Sequence, residues 1–311
     1  MISKTINSLI VLVSLMILIS CSSKNENKSE NQHEVIISSP IFSIPKLPQE
    51  MMFCGEKIIL KDEDVRERLE REVLLNAYYH SATIGILKKS TRFFPQIEQI
   101  LKEKKIPIDF KYLAVIESGL VQAVSPVGAQ GFWQFMPFTA KEFDLEMSNE
   151  VDERLNIEKS TYAACGYLQH AQDTLKDWLL TAASYNRGIG GVRQDMRWQG
   201  TEHYFDTDMN SETSRYVFRI LAMKLIMEAP KSYGFDTDAI ELYKPFKTKS
   251  YIVKQSISNI AEWSKSKGFN FKIFMKLNPW VKGNRLTIHS KPYKVLLPSP
   301  SENLKPYKAY N

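Results

Sequence analysis

Apolar residues recur at three- and four-residue intervals along most of the chain, and this period predicts helices. Over 62–89, Val65, Leu69, Val73 and Leu74 share one face, with Asp62 or Asp64 placed to cap the start. A second helix is expected after Pro95, carrying Ile97, Ile100 and Leu101, and Pro107 closes it. Asp109 is placed to cap the next one, over 110–117. Further helical stretches run over 156–175, 178–185 and 212–228. In the last, Val217, Leu221, Leu225 and Met227 form the apolar side, and Pro230 marks the end. No alternating strand pattern occurs between 62 and 228, so the centre of the chain reads as all-α. The pattern changes after Pro230. A short strand at 251–253, helices over 257–267 and 271–276, and a closing strand over 293–297 give a β-α-α-β order. The predicted fold class is mainly α, with a small α+β module at the C-terminal end.

The N-terminal pattern is of another kind. Lys4 precedes an apolar run, Leu9 to Val13 and Ile17 to Ile19, that is shorter than the about 20 apolar residues of a comfortable membrane span. The run ends at Leu18-Ile19-Ser20-Cys21, which resembles a bacterial lipobox. That resemblance implies cleavage after residue 20 and lipidation of Cys21, so that several acyl chains anchor the protein in a membrane. Ser22 follows the cysteine, and the sorting pattern of such lipoproteins then implies the outer membrane, facing the periplasm. An ordinary signal peptide and an uncleaved anchor are the alternatives. Residues 21–50 begin with the polar run SSKNENKSENQHE and continue with Pro40, Pro45 and Pro48, the composition of a tether.

Composition narrows the class. Of 311 residues, 43% are apolar, enough to bury a sizeable core. The formal charge of +6 is spread along the chain, as on a solvated basic surface or one drawn to an anionic polymer. Export disfavours nucleic acid as that polymer, and a cell-wall glycan remains. Cys54 and Cys165 are open to pairing after export, or to burial as free thiols. His33, His80, His170, His203 and His289 have no metal-ligand spacing, so no metal and no cofactor are expected. The chain is expected to act as a monomer.

Candidate chemistry lies in four segments. Glu117 ends the apolar run Leu113-Ala114-Val115-Ile116, where a helix should stop at Ser118-Gly119. The negative end of a helix dipole and apolar surroundings both disfavour a carboxylate, so its pKa should rise into the range of a general acid. A lone helix-end glutamate would normally be just a surface residue. The loop that follows changes this, for it runs from Ser125 through Gly128 and Gly131 to Phe132-Trp133-Gln134-Phe135-Met136-Pro137. Glycines allow close backbone approach, aromatic faces suit sugar rings, and an amide such as Gln134 offers paired donor and acceptor. The aromatic residues also suit a core. The third segment is Ala183-Ser184-Tyr185-Asn186-Arg187-Gly188, and the fourth is Glu212-Thr213-Ser214-Arg215-Tyr216-Val217.

In this order and spacing the segments resemble the lytic transglycosylase domain of the soluble-lytic-transglycosylase type, a relative of goose-type lysozyme. The resemblance covers roughly residues 95–230. It implies a lysozyme-like helical fold with a glycan groove, Glu117 as the catalytic acid, and substrate roles for Ser125, Gln134, Met136, Tyr185, Asn186 and Glu212. Tyr185 is further expected to hydrogen-bond near Glu117 and orient it. Two departures, Phe132 for the usual Leu or Ile and Ser184 for the usual Ala, bear on subsite detail. Residues 257–261 and 274–280 resemble a degenerate LysM repeat, which implies binding to N-acetylglucosamine-containing glycans. The usual Gly-Asp-Thr opening is replaced by Lys254-Gln255-Ser256. The expected division is signal peptide 1–20, tether 21–50, helical segment 51–94, catalytic domain 95–230 and LysM-like module 245–300.

One further observation concerns mechanism. Ordinary glycosidases use two carboxylates about 5–9.5 Å apart. No Asp or Glu lies between Glu117 and Glu142, so a second would have to come from a distant segment. The family implied above needs none. Its expected reaction cuts the bond from N-acetylmuramic acid to N-acetylglucosamine and closes a 1,6-anhydro ring, with one glutamate as acid and then base. Cleavage at strand ends and within strands are both left open.

Overall fold

A computed structural model describes residues 45–301, together with 304 and 307. The expected signal, Cys21 and most of the tether lie outside the described residues.

The described chain opens with a hairpin, β1 (Glu50–Phe53) and β2 (Glu56–Ile59), paired antiparallel with Phe53 opposite Glu56. Cys54 and Gly55 make its turn, both with positive φ (53° and 86°), the geometry that matches strand twist in two-residue hairpins. Met51, Phe53 and Ile58 point inward. The segment expected to be helical from residue 51 therefore starts as a hairpin. Helix α1 (Glu63–Tyr78) follows, with the Asp62 carboxylate accepting from the Val65 amide.

The helix expected over 62–89 breaks at Tyr79 (φ −79°, ψ 55°), and α2 (His80–Glu103) runs on through Pro95. A proline inside a helix costs a main-chain bond. Burial of Leu87, Ile97, Ile100 and Leu101 along one face offsets that cost. Asp109 does not cap α3 (Lys111–Ser118). Its carboxylate accepts from the Cys54 amide and from Lys224 Nζ, each at 2.7 Å, because pairing with a largely buried ammonium outweighs one cap bond. Cys54 and Cys165 are both free; burial pushes the Cys165 thiol up to about 12.

The short α4 (Pro137–Glu142) starts on Pro137 at the position where proline's missing N–H costs nothing. Then come α5 (Ile157–Leu175), capped by Asn156, α6 (Trp178–Arg187), capped by Asp177, and α7 (Ile189–Gln199). Neither α4 nor α7 was expected from the periodicity. Helix α8 (Ser211–Glu228), capped by Asn210, is buried on nearly all sides, from Tyr216 through Phe218 and Leu221 to Ile226. It packs against α1, α3 and α6 as the central post of the helical domain.

The C-terminal module has the expected order: β3 (Thr248–Val253), α9 (Ile260–Ser266), α10 (Phe271–Leu277) and β4 (Tyr293–Pro298). The strands pair antiparallel, with Tyr251 opposite Val295. Val253, Ile260, Phe274, Leu286 and Val295 form a separate apolar core. Val151 of the helical domain inserts into that core. On either side of it, the Asp152 amide donates to the Trp280 carbonyl (2.8 Å) and the Lys282 amide to the Glu150 carbonyl (2.7 Å). Among the described residues, no helix is long and apolar enough to cross a membrane.

Candidate active site

Helix α3 ends one residue after Glu117, where Gly119 (φ 59°) turns the chain. Leu120 follows in the same left-handed region (φ 56°), a strained conformation for leucine of the kind that collects at functional sites. This sharp exit leaves Glu117 at the helix end, half-buried. Its pKa is pushed from the ordinary 4.5 to about 7, chiefly because burial disfavours the charged form. The Tyr216 hydroxyl donates to Glu117 Oε1 and, with the charge of Arg219, opposes the rise; the charge of Glu212 adds to it. Arg219 also donates to the Ile116 carbonyl at 3.0 Å, tying α8 to the end of α3. The result is a carboxyl divided between its two protonation states near neutral pH, as acid–base work requires.

Tyr185 is not the partner of Glu117. Its hydroxyl donates to the Trp133 carbonyl at 2.9 Å, and burial pushes its pKa well up. The place expected for it is taken by Tyr216, one helical turn beyond Glu212 on α8. That four-residue spacing, which puts both side chains on one face, was the available signal.

The loop over 120–136 is braced through its main chain. Gln134 has φ 47°, and its amide Nε2 donates to the carbonyls of Gly131 (2.7 Å) and Ala123 (3.1 Å). Ser125 Oγ accepts from the Ala129 amide at 2.9 Å. Arg154, buried against Asp152, donates to the carbonyls of Gly128 (2.8 Å) and Phe135 (3.2 Å). Gly131 can only be glycine, since a Cβ there would stand 2.0 Å from the Arg154 carbonyl oxygen. Phe132, Trp133 and Phe135 are buried core residues; Trp133 Nε1 donates to Thr161 Oγ1 at 2.9 Å. Exposure passes instead to Met136 (41%) and Phe138 (74%) at the start of α4.

Asn186 and Glu212 are brought together, with Asn186 Nδ2 donating to Glu212 Oε1 at 3.0 Å. Asn186 Oδ1 accepts from Thr213 Oγ1 at 2.7 Å, which fixes the amide orientation. Glu212 is exposed, and its charge reaches Glu117. Glu212, from a distant segment, therefore bears on the candidate acid through its charge alone. Of the expected residues, Tyr185, Gln134 and Ser125 brace the main chain, Asn186 and Glu212 form a polar pair on α6 and α8, and Met136 lies exposed at the head of α4.

Two family models match the chain. One is the transglycosylase SLT domain, over residues 96–206, and the other the soluble lytic transglycosylase C-terminal LysM-like domain, over 249–301. The chain carries an SLT transglycosylase domain followed by a LysM-like domain. It is homologous to membrane-bound lytic murein transglycosylase D of Escherichia coli K12, 27% identical over 259 residues, or 79% of this chain and 55% of that protein. The chain thus spans just over half the length of that curated relative. Among solved structures, it is similar to the 70 kDa soluble lytic transglycosylase of Escherichia coli, with 23% identity, coverage of 50% of this chain and 28% of that one, and a TM-score of 0.38. It is also similar to lytic transglycosylase Slt of Pseudomonas aeruginosa, with 20% identity, coverage of 48% and 26%, and a TM-score of 0.37. The SLT match ends before α8, yet α8 supplies Tyr216, Arg219 and Glu212 to the site.

Proposed function

We propose that this protein is a peptidoglycan lytic transglycosylase that uses Glu117 first as acid and then as base. The observation that carries the reading is a carboxyl near pH 7 at a strained helix exit, held by Tyr216 in an SLT domain. Protonated Glu117 gives its proton to the oxygen joining N-acetylmuramic acid to N-acetylglucosamine, and the C1–O bond breaks. The N-acetyl group of the muramic acid shields the resulting oxocarbenium-like centre. Glu117, now a carboxylate, takes the proton of the C6 hydroxyl as O6 bonds to C1, and the acid is restored without consuming water. Met136, Asn186 and Glu212 contact the strand, while Ser125, Gln134 and Tyr185 hold the loop that shapes the groove. Cutting occurs at strand ends, within strands, or both. Lipidated Cys21 holds the protein at the periplasmic face of the outer membrane, in keeping with the membrane-bound character in the relative's name.

Digestion of purified peptidoglycan, with mass spectrometry of the products, tests this. Anhydro-muramic ends are expected; reducing ends would overturn it. The charge of Glu212 felt at Glu117 raises a second reading, hydrolysis with Glu212 guiding a water. Reducing ends that vanish in Glu212→Gln would establish that reading.

A further inference from the structure

Glu212 and Arg215 stand three residues apart on α8, a spacing at which opposite charges on one helix commonly pair. They do not pair here. Arg215 turns to α1 instead, where its Nε and Nη2 fork onto the two oxygens of Glu72 at 2.7 and 3.2 Å. Glu72 is buried, with Arg71 further off at 4.0 Å. A buried carboxylate without a partner costs far more than an exposed ion pair contributes, so Glu72 takes the guanidinium from the exposed Glu212. The Glu212 carboxylate is left with Asn186 Nδ2 at 3.0 Å and without an ion pair among the described residues. The first turn of α8 does not rely on this fork for its place. Arg68 of α1 donates to the Ser214 carbonyl at 2.8 Å and to Asp64 at 3.0 Å, and lies 4.4 Å from the centre of the Phe218 ring. The Tyr204 hydroxyl donates to the carbonyls of Thr213 and Ser214 at 3.0 and 2.9 Å. The Glu72–Arg215 pair thus decides where a charge goes more than where the helix lies. Both α1 and α8 fall outside the matched SLT segment.

We propose that Glu72 is a positioning residue: by holding Arg215 on α1, it keeps the Glu212 carboxylate unpaired and free for the glycan strand. This rests on the function proposed above and deepens it. The consequence reaches the acid. Around Glu117 stand Tyr216, Arg219 and Glu212 from α8, Tyr185 from α6, and Lys89 from α2, whose Nζ is 4.0 Å from where Gly119 would carry a Cβ. Of these, Glu212 is the free anion that helps Glu117 keep its proton. Arg215 released from Glu72 pairs with Glu212 and cancels that charge, and Glu117 then gives up its proton at lower pH.

Carbon-13 NMR of the glutamate carboxyls in the full chain follows the acid without any substrate, the Glu117 signal being assigned by its loss in Glu117→Gln. In Glu72→Gln the Glu117 midpoint should fall from about 7 by about half a pH unit, the size of a screened surface charge effect. Glu72→Met, which also suits a buried site, should give the same fall. Removing the released cation as well, in Glu72→Gln/Arg215→Gln, should return the midpoint to its wild-type value. In a Glu212→Gln background, Glu72→Gln should move it no further. An unmoved midpoint in Glu72→Gln and Glu72→Met, a fall that persists after Arg215→Gln, or an equal fall without Glu212 overturns the proposal. Kinetics read the same cycle. The alkaline limb of kcat/KM should move to lower pH in Glu72→Gln, lowering activity at pH 8 about threefold, and recover in the double variant. Midpoints that follow the cycle in a protein that cuts no strand uphold Glu72 and overturn the transglycosylase. Anhydro ends from a protein whose midpoint ignores Glu72 do the reverse.

Discussion

The groove loop and the LysM-like module are held by opposite means. The module has its own apolar core around Phe274, Leu286 and Val295, and its strands pair along their full length. The loop over 120–136 has its aromatics buried beneath it, but its path is set by side chains bonded to main-chain carbonyls: Gln134 to Gly131, Tyr185 to Trp133, and Arg154 to Gly128 and Phe135. Burial gives graded stability, since any apolar side chain of similar shape serves. A polar brace is specific, since no other group reaches the same oxygens. One short segment joins the regimes: Val151 fills the module's core, and three residues on, Arg154 pins the loop. Accurate placement of Glu117 therefore depends on few bonds, and the module on many contacts.

Glu117→Gln sharpens the contrast most. Strand cleavage should fall by about 10²–10⁴, the usual span of general acid–base catalysis. Stability should move the other way. The folded pKa of about 7 exceeds the ordinary 4.5, so the folded state binds the proton more tightly and wild type loses stability as pH rises from 4.5 through 7. The variant escapes that loss. It should match wild type near pH 4 and exceed it at pH 8 by up to about 3 kcal/mol in urea unfolding. Equal stability at both values would mean that Glu117 is not desolvated.

Arg154→Ala comes next. It leaves the Asp152 carboxylate buried without its partner and frees two carbonyls, at a cost of about 3–5 kcal/mol. Hydrogen exchange should quicken over 128–135 first. Arg154→Lys should rescue little, because an ammonium cannot span Asp152 and both carbonyls at once. Full rescue would show that charge alone holds the loop.

How much of this the sequence disclosed follows the same division. Helices buried along one face were legible: α5, α6 and α8 begin and end within a residue or two of where the apolar periodicity puts them. Glu117 was legible because an apolar run ended on it before a glycine. Three features were not. Pro95 reads as a helix start, yet burial of Ile97 and Leu101 carries α2 through it. The hairpin turn at Cys54-Gly55 lacks the Asn or Asp that usually marks such turns. Arg154 and Tyr216 act through partners 19 to 99 residues away, a distance no local pattern spans. The aromatic loop read ambiguously as sugar platform or core, and the buried Phe132, Trp133 and Phe135 settle on core, because apolar residues flanking a strained turn are what anchor it.

Tyr216→Phe is a smaller step on the same axis. The lost hydrogen bond favoured the charged carboxylate, so the Glu117 pKa should climb above 7 and the alkaline fall of kcat/KM should move to higher pH. At pH 6, where the acid is already protonated, activity should drop about tenfold from lost orientation alone. A drop without movement of the limb would leave Tyr216 a packing residue.

The smallest effect is the sharpest test of whether the two regimes are separable. Tyr293 donates to Glu146 Oε1 at 2.6 Å, a polar staple between module and helical domain that lies away from the groove loop. Tyr293→Phe keeps the ring in its place in the module's core. It should cost about 1 kcal/mol, or roughly 2–4 °C in Tm for a chain of this size. Because the main-chain bonds at Glu150 and Asp152 and the burial of Val151 still hold the module, kcat on wall glycan and exchange over 128–135 should stay at wild-type values. If exchange over 128–135 instead rises as it does in Arg154→Ala, the loop feels every loosening of the module. The segment over 146–156 would then conduct strain between the two regions.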